Sequence, residues 1–98
     1  MAVPMLTDLR RRRSEILDVA RARGASRVRV FGSVARGDAT ETSDIDFLVD
    51  FEAGRSLLDL GGLLMDLREL LGYDVDVVTE AGLRSRVGSR VLADAVDL

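Results

Sequence analysis

The run Ile45-Asp-Phe-Leu-Val-Asp-Phe51 alternates so regularly that it reads as a strand with two unlike faces. At a period of two, Ile45, Phe47, Val49 and Phe51 point one way, and Asp44, Asp46, Leu48 and Asp50 point the other. The first set belongs in a core. The second puts carboxylates on the opposite side of the same sheet. Asp44 and Asp46, two residues apart, project side by side from the start of the strand.

The flanking pattern supplies a cover for the apolar face. A helix is expected from Thr7 or Asp8 to about Arg23, with Thr7 as N-cap, Gly24 at the C′ position and Ile16, Leu17 and Ala20 on one face. Arg27 to Phe31 alternates as a strand and stops at Gly32-Ser33; Val34 to Arg36 is a short helical turn, and residues 37–43 form a polar loop. Ser56-Leu-Leu-Asp59 resembles a capping box and opens a helix that ends at Gly72. Its expected core face is Leu57, Leu60, Leu64, Leu67 and Leu71, with Gly61-Gly62 either weakening the helix or admitting a close neighbour. Tyr73 to Thr79 reads as a third strand, with Val75 and Val77 on one face and Asp74 and Asp76 on the other. From Glu80 onward the pattern is helical again, broken near Gly88. The order α-β-β-α-β-α predicts an α/β (α+β) fold in which a small mixed β-sheet carries helices mainly on its Ile45/Phe47/Val49 face. Ninety-eight residues suit a single domain spanning 1–98.

Composition narrows the chemistry. With no cysteine there is no disulfide or thiolate site, and with no histidine there is no imidazole base or ligand. All 14 basic residues are arginine, so a P-loop, which needs its lysine, is excluded. The net charge of −3 argues against non-specific nucleic-acid binding. No apolar run is long enough to span a membrane and no signal-peptide pattern opens the chain, so a cytoplasmic location is expected.

Carboxylates remain. If the third strand lies beside the second, Asp76 reaches the patch made by Asp44 and Asp46. Two carboxylates 4 Å apart repel by about 4 kcal/mol at an effective dielectric of 20. Divalent metal offsets that cost, and an all-oxygen set without histidine suits Mg²⁺ or Mn²⁺, two ions together clamping an in-line phosphoryl transfer. A lone D-x-D at a strand start is more often surface decoration, the reading given to Asp50 and Asp74. A lone Gly-Ser is more often an ordinary tight turn. Their combination points to a ligand. Gly32 lets a backbone approach unobstructed, and Ser33 starts a helical turn whose free amides face an anion such as a triphosphate. Arg36 either adds a cation there or is a plain loop arginine.

The combined pattern resembles a known family. Gly32-Ser-Val-Ala-Arg-Gly37 followed by Ser43-Asp-Ile-Asp46 is similar to the GS-x-A-R-G … S-D-x-D signature of the nucleotidyltransferases related to DNA polymerase β, and Val75-Asp-Val-Val-Thr79 is similar to their third-carboxylate strand. The size of the chain points to the minimal nucleotidyltransferases, which act as antitoxins of a HEPN-type helical toxin encoded nearby. The resemblance implies that Gly32 and Ser33 hold the β- and γ-phosphates of ATP, that Asp44, Asp46 and Asp76 ligate two metal ions, and that Asp76 also orients or deprotonates the attacking hydroxyl. It implies transfer of AMP to a hydroxyl, a tyrosine of the toxin, with release of pyrophosphate.

The alternative is an antitoxin of the same fold that masks its partner by contact, with the metal site unused. Transfer to a small molecule such as an aminoglycoside is disfavoured, since no substrate domain is evident. Three Phe, one Tyr and no Trp leave little for an in-house base-stacking shelf, so weak nucleotide binding by the chain alone is expected. The run Arg10 to Arg13 spreads around a helix turn and reads as a solvated end, with the first turn projecting beyond the core. Leu48 reads as exposed and, with Val87, Val91 and Ala95, belongs either to the core or to a partner or homo-oligomer surface.

Overall fold

Four strands make one mixed sheet in the order β3-β2-β1-β4: β1 is Ala25–Phe31, β2 Ile45–Phe51, β3 Val75–Thr79 and β4 Val96–Asp97. They are seen in a computed structural model that describes residues 3–82 and 92–98. β1 runs antiparallel to β2 and β4, whereas β2 and β3 are parallel and in register from Ile45↔Val75 to Val49↔Thr79. The parallel crossover is made by α4 (Leu57–Leu71), which packs against the sheet beside α2 (Arg13–Ala22). Between β1 and β2 lies the five-residue α3 (Gly32–Arg36).

The alternation of β2 is used as the sequence demands. Ile45, Phe47 and Val49 are fully buried beneath the helices with Ile16, Ala20, Leu63 and Leu67. Each such side chain contributes roughly 1.5–3 kcal/mol through burial. The Ser56 capping box is present: the Leu58 amide donates to Ser56 Oγ at 3.2 Å, and the Ser56 amide donates to Asp59 Oδ2 at 3.0 Å. Gly24 and Gly72 end their helices with positive φ.

Several expectations need correction. The first helix is two: α1 (Leu6–Arg11) and α2, divided at Arg12, which leaves the helical region with φ −103° and ψ 19°. Leu9 and Ile16 are both buried in the core, so the first turn does not project beyond it. Arg12 is held at the break by the Leu70 carbonyl, which accepts from its Nη1 at 3.0 Å, and by Glu15. Thr7 is no cap; Met5 precedes α1 without a capping side chain. On α4 Leu67 is buried and Leu60, Leu64 and Leu71 pack partly buried on the core as expected, but Leu63 is buried as well and Leu57 is 83% exposed. β4 was not expected at all.

Leu48 is fully buried rather than exposed. It forms a second small cluster with Phe31 and Val78 on the sheet face away from α2 and α4, and Leu92 and Ala95 pack over it. Val87, Val91 and the break expected near Gly88 lie outside the described residues.

Candidate active site

The carboxylate face reads as three rows across the strands. In the first row Phe31, Asp46 and Asp76 are lateral neighbours on β1, β2 and β3. In the second row stand Arg29, Leu48 and Val78, and beyond them Arg27 and Asp50. Rows are about 6.6 Å apart, two residues of strand rise. Asp46 and Asp76 are half-buried, and Asp44 is exposed just ahead of β2. The Ile45 amide donates to the Asp74 carbonyl at 3.0 Å, which ties the starts of β2 and β3 together and fixes the register of Asp46 against Asp76.

Gly32 closes this row on the β1 side. The backbone leaves Phe31 extended, at φ −133°, and turns at Gly32 with φ +73°. A Cβ built on Gly32 would overlap Asp46 Oδ2, so the missing side chain is space that the carboxylate occupies. Ser33 follows, half-buried at the start of α3, and its hydroxyl has no hydrogen-bond partner among the described residues. The Ser33 carbonyl accepts from Gly37 and Asp38, both at 3.0 Å, and holds the short helix closed. Arg36 ends that helix about 4.5 Å further along its axis. It pairs with Asp38 through Nε at 3.3 Å, and the structure does not bring it to the carboxylates.

The donor set fits a hard divalent ion. Every candidate donor is a carboxylate oxygen: Asp46 and Asp76 on adjacent strands and Asp44 just ahead of β2. Among the described residues no three carboxylates converge closely enough to enclose an ion. That openness agrees with how Mg²⁺ is usually held, by one or two carboxylates and substrate phosphates rather than by a protein cage. Asp50 and Asp74 are occupied elsewhere, by Arg29 at 3.5 Å and Arg68 at 3.4 Å, in keeping with the surface role expected of them.

Two features around the row are absent from the sequence reading. The Phe31/Leu48/Val78 cluster under Leu92 and Ala95 covers the second row at Leu48 and Val78 and reaches the first at Phe31. A cleft of about 300 Å³ opens on the β3 side, where Asp76 lines it together with Leu57, Leu60 and Gly82.

The family model described as the nucleotidyltransferase domain matches residues 13–97. The chain belongs to that family. It is an enzyme of the nucleotidyltransferase class, with the fold expected from its sequence. A Methanocaldococcus jannaschii relative, named provisionally as a protein adenylyltransferase, is 44% identical over 84 residues, covering 86% of this nucleotidyltransferase and 90% of the relative. Protein adenylyltransferase MntA of Thermococcus cleftensis is 45% identical over 73 residues, 74% of each chain. Among solved structures, one described provisionally as a minimal nucleotidyltransferase superposes with a TM-score of 0.82 at 52% identity, covering 96% of both chains. A toxin–antitoxin crystal structure with AMP-PNP superposes with a TM-score of 0.71 at 22% identity, over 86% of this chain and 69% of that one, and shares the fold. Among the described residues no helix is long and apolar enough to cross a membrane.

Proposed function

We propose that this nucleotidyltransferase transfers AMP from ATP to a hydroxyl group, a tyrosine of a HEPN-type toxin partner, and thereby acts as its antitoxin. The observation that carries the proposal is the first row: Asp46 and Asp76 in register on one face, Asp44 at its head and Gly32 pressed against Asp46. The relatives named as protein adenylyltransferases and the fold shared with a toxin–antitoxin structure support the acceptor class.

Each residue has work to do in that reaction. Gly32 admits the triphosphate to the backbone, and the Ser33 hydroxyl and the first-turn amides of α3 bind its β- and γ-phosphates. Asp44, Asp46 and Asp76 would hold two divalent ions, Mg²⁺ or Mn²⁺, which supply charge neutralisation at the α-phosphate. The acceptor hydroxyl enters from the β3 side, where Asp76 orients it and takes its proton. A bond forms between the acceptor oxygen and the α-phosphorus, and the α–β bridging bond breaks. Pyrophosphate departs on the Gly32/Ser33 side. Arg36 contributes only if it exchanges Asp38 for phosphate.

The test is label transfer. The protein is incubated with its partner, Mg²⁺ and ATP labelled at the α-phosphate, beside the Asp44→Asn/Asp46→Asn variant. Label on the partner that disappears in the variant is the expected result. A stable complex that acquires no label would replace catalysis with masking by contact.

A further inference from the structure

We infer that the acceptor protein docks on the outer edge of β3 by adding an extended segment to the sheet, with Leu57 and Leu58 as the apolar anchors beside it. This docking rests on the proposed AMP transfer and deepens it.

The edge is open. β3 ends the strand order β3-β2-β1-β4, so among the described residues only one of its sides has a strand beside it. The Ile45 amide donates to the Asp74 carbonyl, and Ile45 stands opposite Val75. In a parallel ladder that phase turns the amides and carbonyls of Asp76 and Val78 toward β2, and those of Val75, Val77 and Thr79 outward. Such a row of main-chain donors and acceptors is a template for another strand. Protected edges usually carry a basic residue, a proline or a bulge. β3 reads Val-Asp-Val-Val-Thr, with neither, and its register with β2 runs without a shift.

Asp76 sits within that edge. On an antiparallel newcomer, the residue opposite Asp76 forms a non-hydrogen-bonded pair, with Cα atoms about 4.5 Å apart. Its side chain and that of Asp76 share a face. The row of Phe31, Asp46 and Asp76 thereby gains one position. A hydroxyl side chain at that position, or at the diagonal one about 7–8 Å away, comes beside the carboxylate that takes its proton. The residues before and after it point to the opposite face, where α4 begins. There a cleft of about 300 Å³ runs along β3 from Asp76 to Thr79, between Leu57, Leu60 and Gly82. Leu57 is 83% and Leu58 85% exposed, more than any other large apolar side chain among the described residues. Neighbouring leucines left in water beside an open strand edge suit an apolar partner. Main-chain bonds then supply affinity and alternate side chains supply specificity. The segment recognised is extended rather than helical, with apolar residues directly before and after its hydroxyl residue. A small-molecule acceptor has no main chain and would leave the edge unused.

Amide hydrogen exchange reads the docking without the chemistry. The protein is exchanged alone and in complex with its HEPN-type partner, in the absence of ATP. The amides of Val77 and Thr79 are expected to slow by about tenfold or more on binding. Those of Asp76 and Val78, which face β2, should change less. In the labelling assay, Leu57→Asp and Leu58→Asp should each raise the KM for the partner about tenfold, without lowering kcat in proportion. Both leucines are exposed in the free chain, so its Tm should hold. Label transfer from a complex in which the Val77 and Thr79 amides exchange as they do in the free chain would overturn the edge and leave AMP transfer standing. Protection of these amides without label transfer would overturn AMP transfer and keep the edge as the surface by which the partner is masked. Protection that appears in the free chain and grows with its concentration would assign the edge to a second copy and overturn the inference.

Discussion

A single methyl group added at position 32 meets two obstacles at once. The backbone there has φ +73°, where a side chain is strained by roughly 1–2 kcal/mol, and the new Cβ would displace the Asp46 carboxylate. Gly32→Ala is therefore expected to lower Tm by about 4–16 °C, given 4–8 °C per kcal/mol for a domain of this size, and to abolish the proposed AMP transfer. Scanning calorimetry with the labelling assay checks both. A variant with wild-type Tm and wild-type transfer would remove Gly32 from the site. Much of this scale was legible in the sequence, since the period of two in β2 dictated which side Asp46 faces. The contact between Gly32 and Asp46 was not, because it depends on where β1 ends against β2, a register that no local pattern encodes. The partner of Arg36 was equally hidden: Asp38, two residues on, lies nearer than any part of the carboxylate row.

At the scale of elements, α4 shows why a leucine-rich helix is hard to phase from sequence. Leucines at 57, 58, 60, 63, 64, 67, 70 and 71 satisfy more than one helical face, and the choice is made by the sheet beneath. Its two glycines differ in the same hidden way. A Cβ at Gly61 meets nothing within 4 Å, whereas one at Gly62 would come within 2.5 Å of Arg23 Nη1, the guanidinium that donates to Asp66 at 2.7 Å. Gly61→Ala is expected to stabilise the protein by about 0.8–1 kcal/mol through helix propensity. Gly62→Ala gains the same propensity but displaces Arg23, whose part-exposed ion pair contributes up to about 1 kcal/mol, so its net effect is close to zero. Urea unfolding of the two variants distinguishes them, and equal gains would mean that Arg23 moves aside freely.

β4 escaped the sequence reading because two residues cannot establish a period. Its attachment is electrostatic as much as structural. Arg27 donates to Asp97 at 2.9 and 3.1 Å, and this hydrogen bonding holds the Asp97 carboxyl below its ordinary value of 3.8. A depressed carboxyl stabilises the fold above its unfolded pKa, and the contribution is lost as pH falls from 3.8 through the lower folded value. The protection factor of the Leu98 amide, which donates to the Val28 carbonyl, should drop over that window. In Arg27→Gln it should be low already and nearly flat. Protection in the wild type that ignores the window would mean that packing alone holds β4.

For the whole molecule, the sheet divides the labour. One face spends its side chains on stability: Ile45, Phe47 and Val49 lie under α2 and α4. The other face carries the small Phe31/Leu48/Val78 cluster and, beside Phe31 in the first row, the carboxylates of Asp46 and Asp76. Occupation of that row should appear as a dependence of stability on what binds it. Any ligand that binds only the folded state at tenfold excess over its Kd stabilises by about 1.4 kcal/mol, several degrees of Tm for a domain of this size. Mg²⁺ with ATP is therefore expected to raise Tm of the wild type by several degrees, and Mg²⁺ alone by less, because carboxylates that do not enclose an ion need phosphate oxygens to complete its shell. In Asp44→Asn/Asp46→Asn both shifts should vanish, since two of the three proposed metal-binding carboxylates have been removed. A Tm that rises with Mg²⁺ and ATP in the variant as it does in the wild type would place the ligands elsewhere on the molecule.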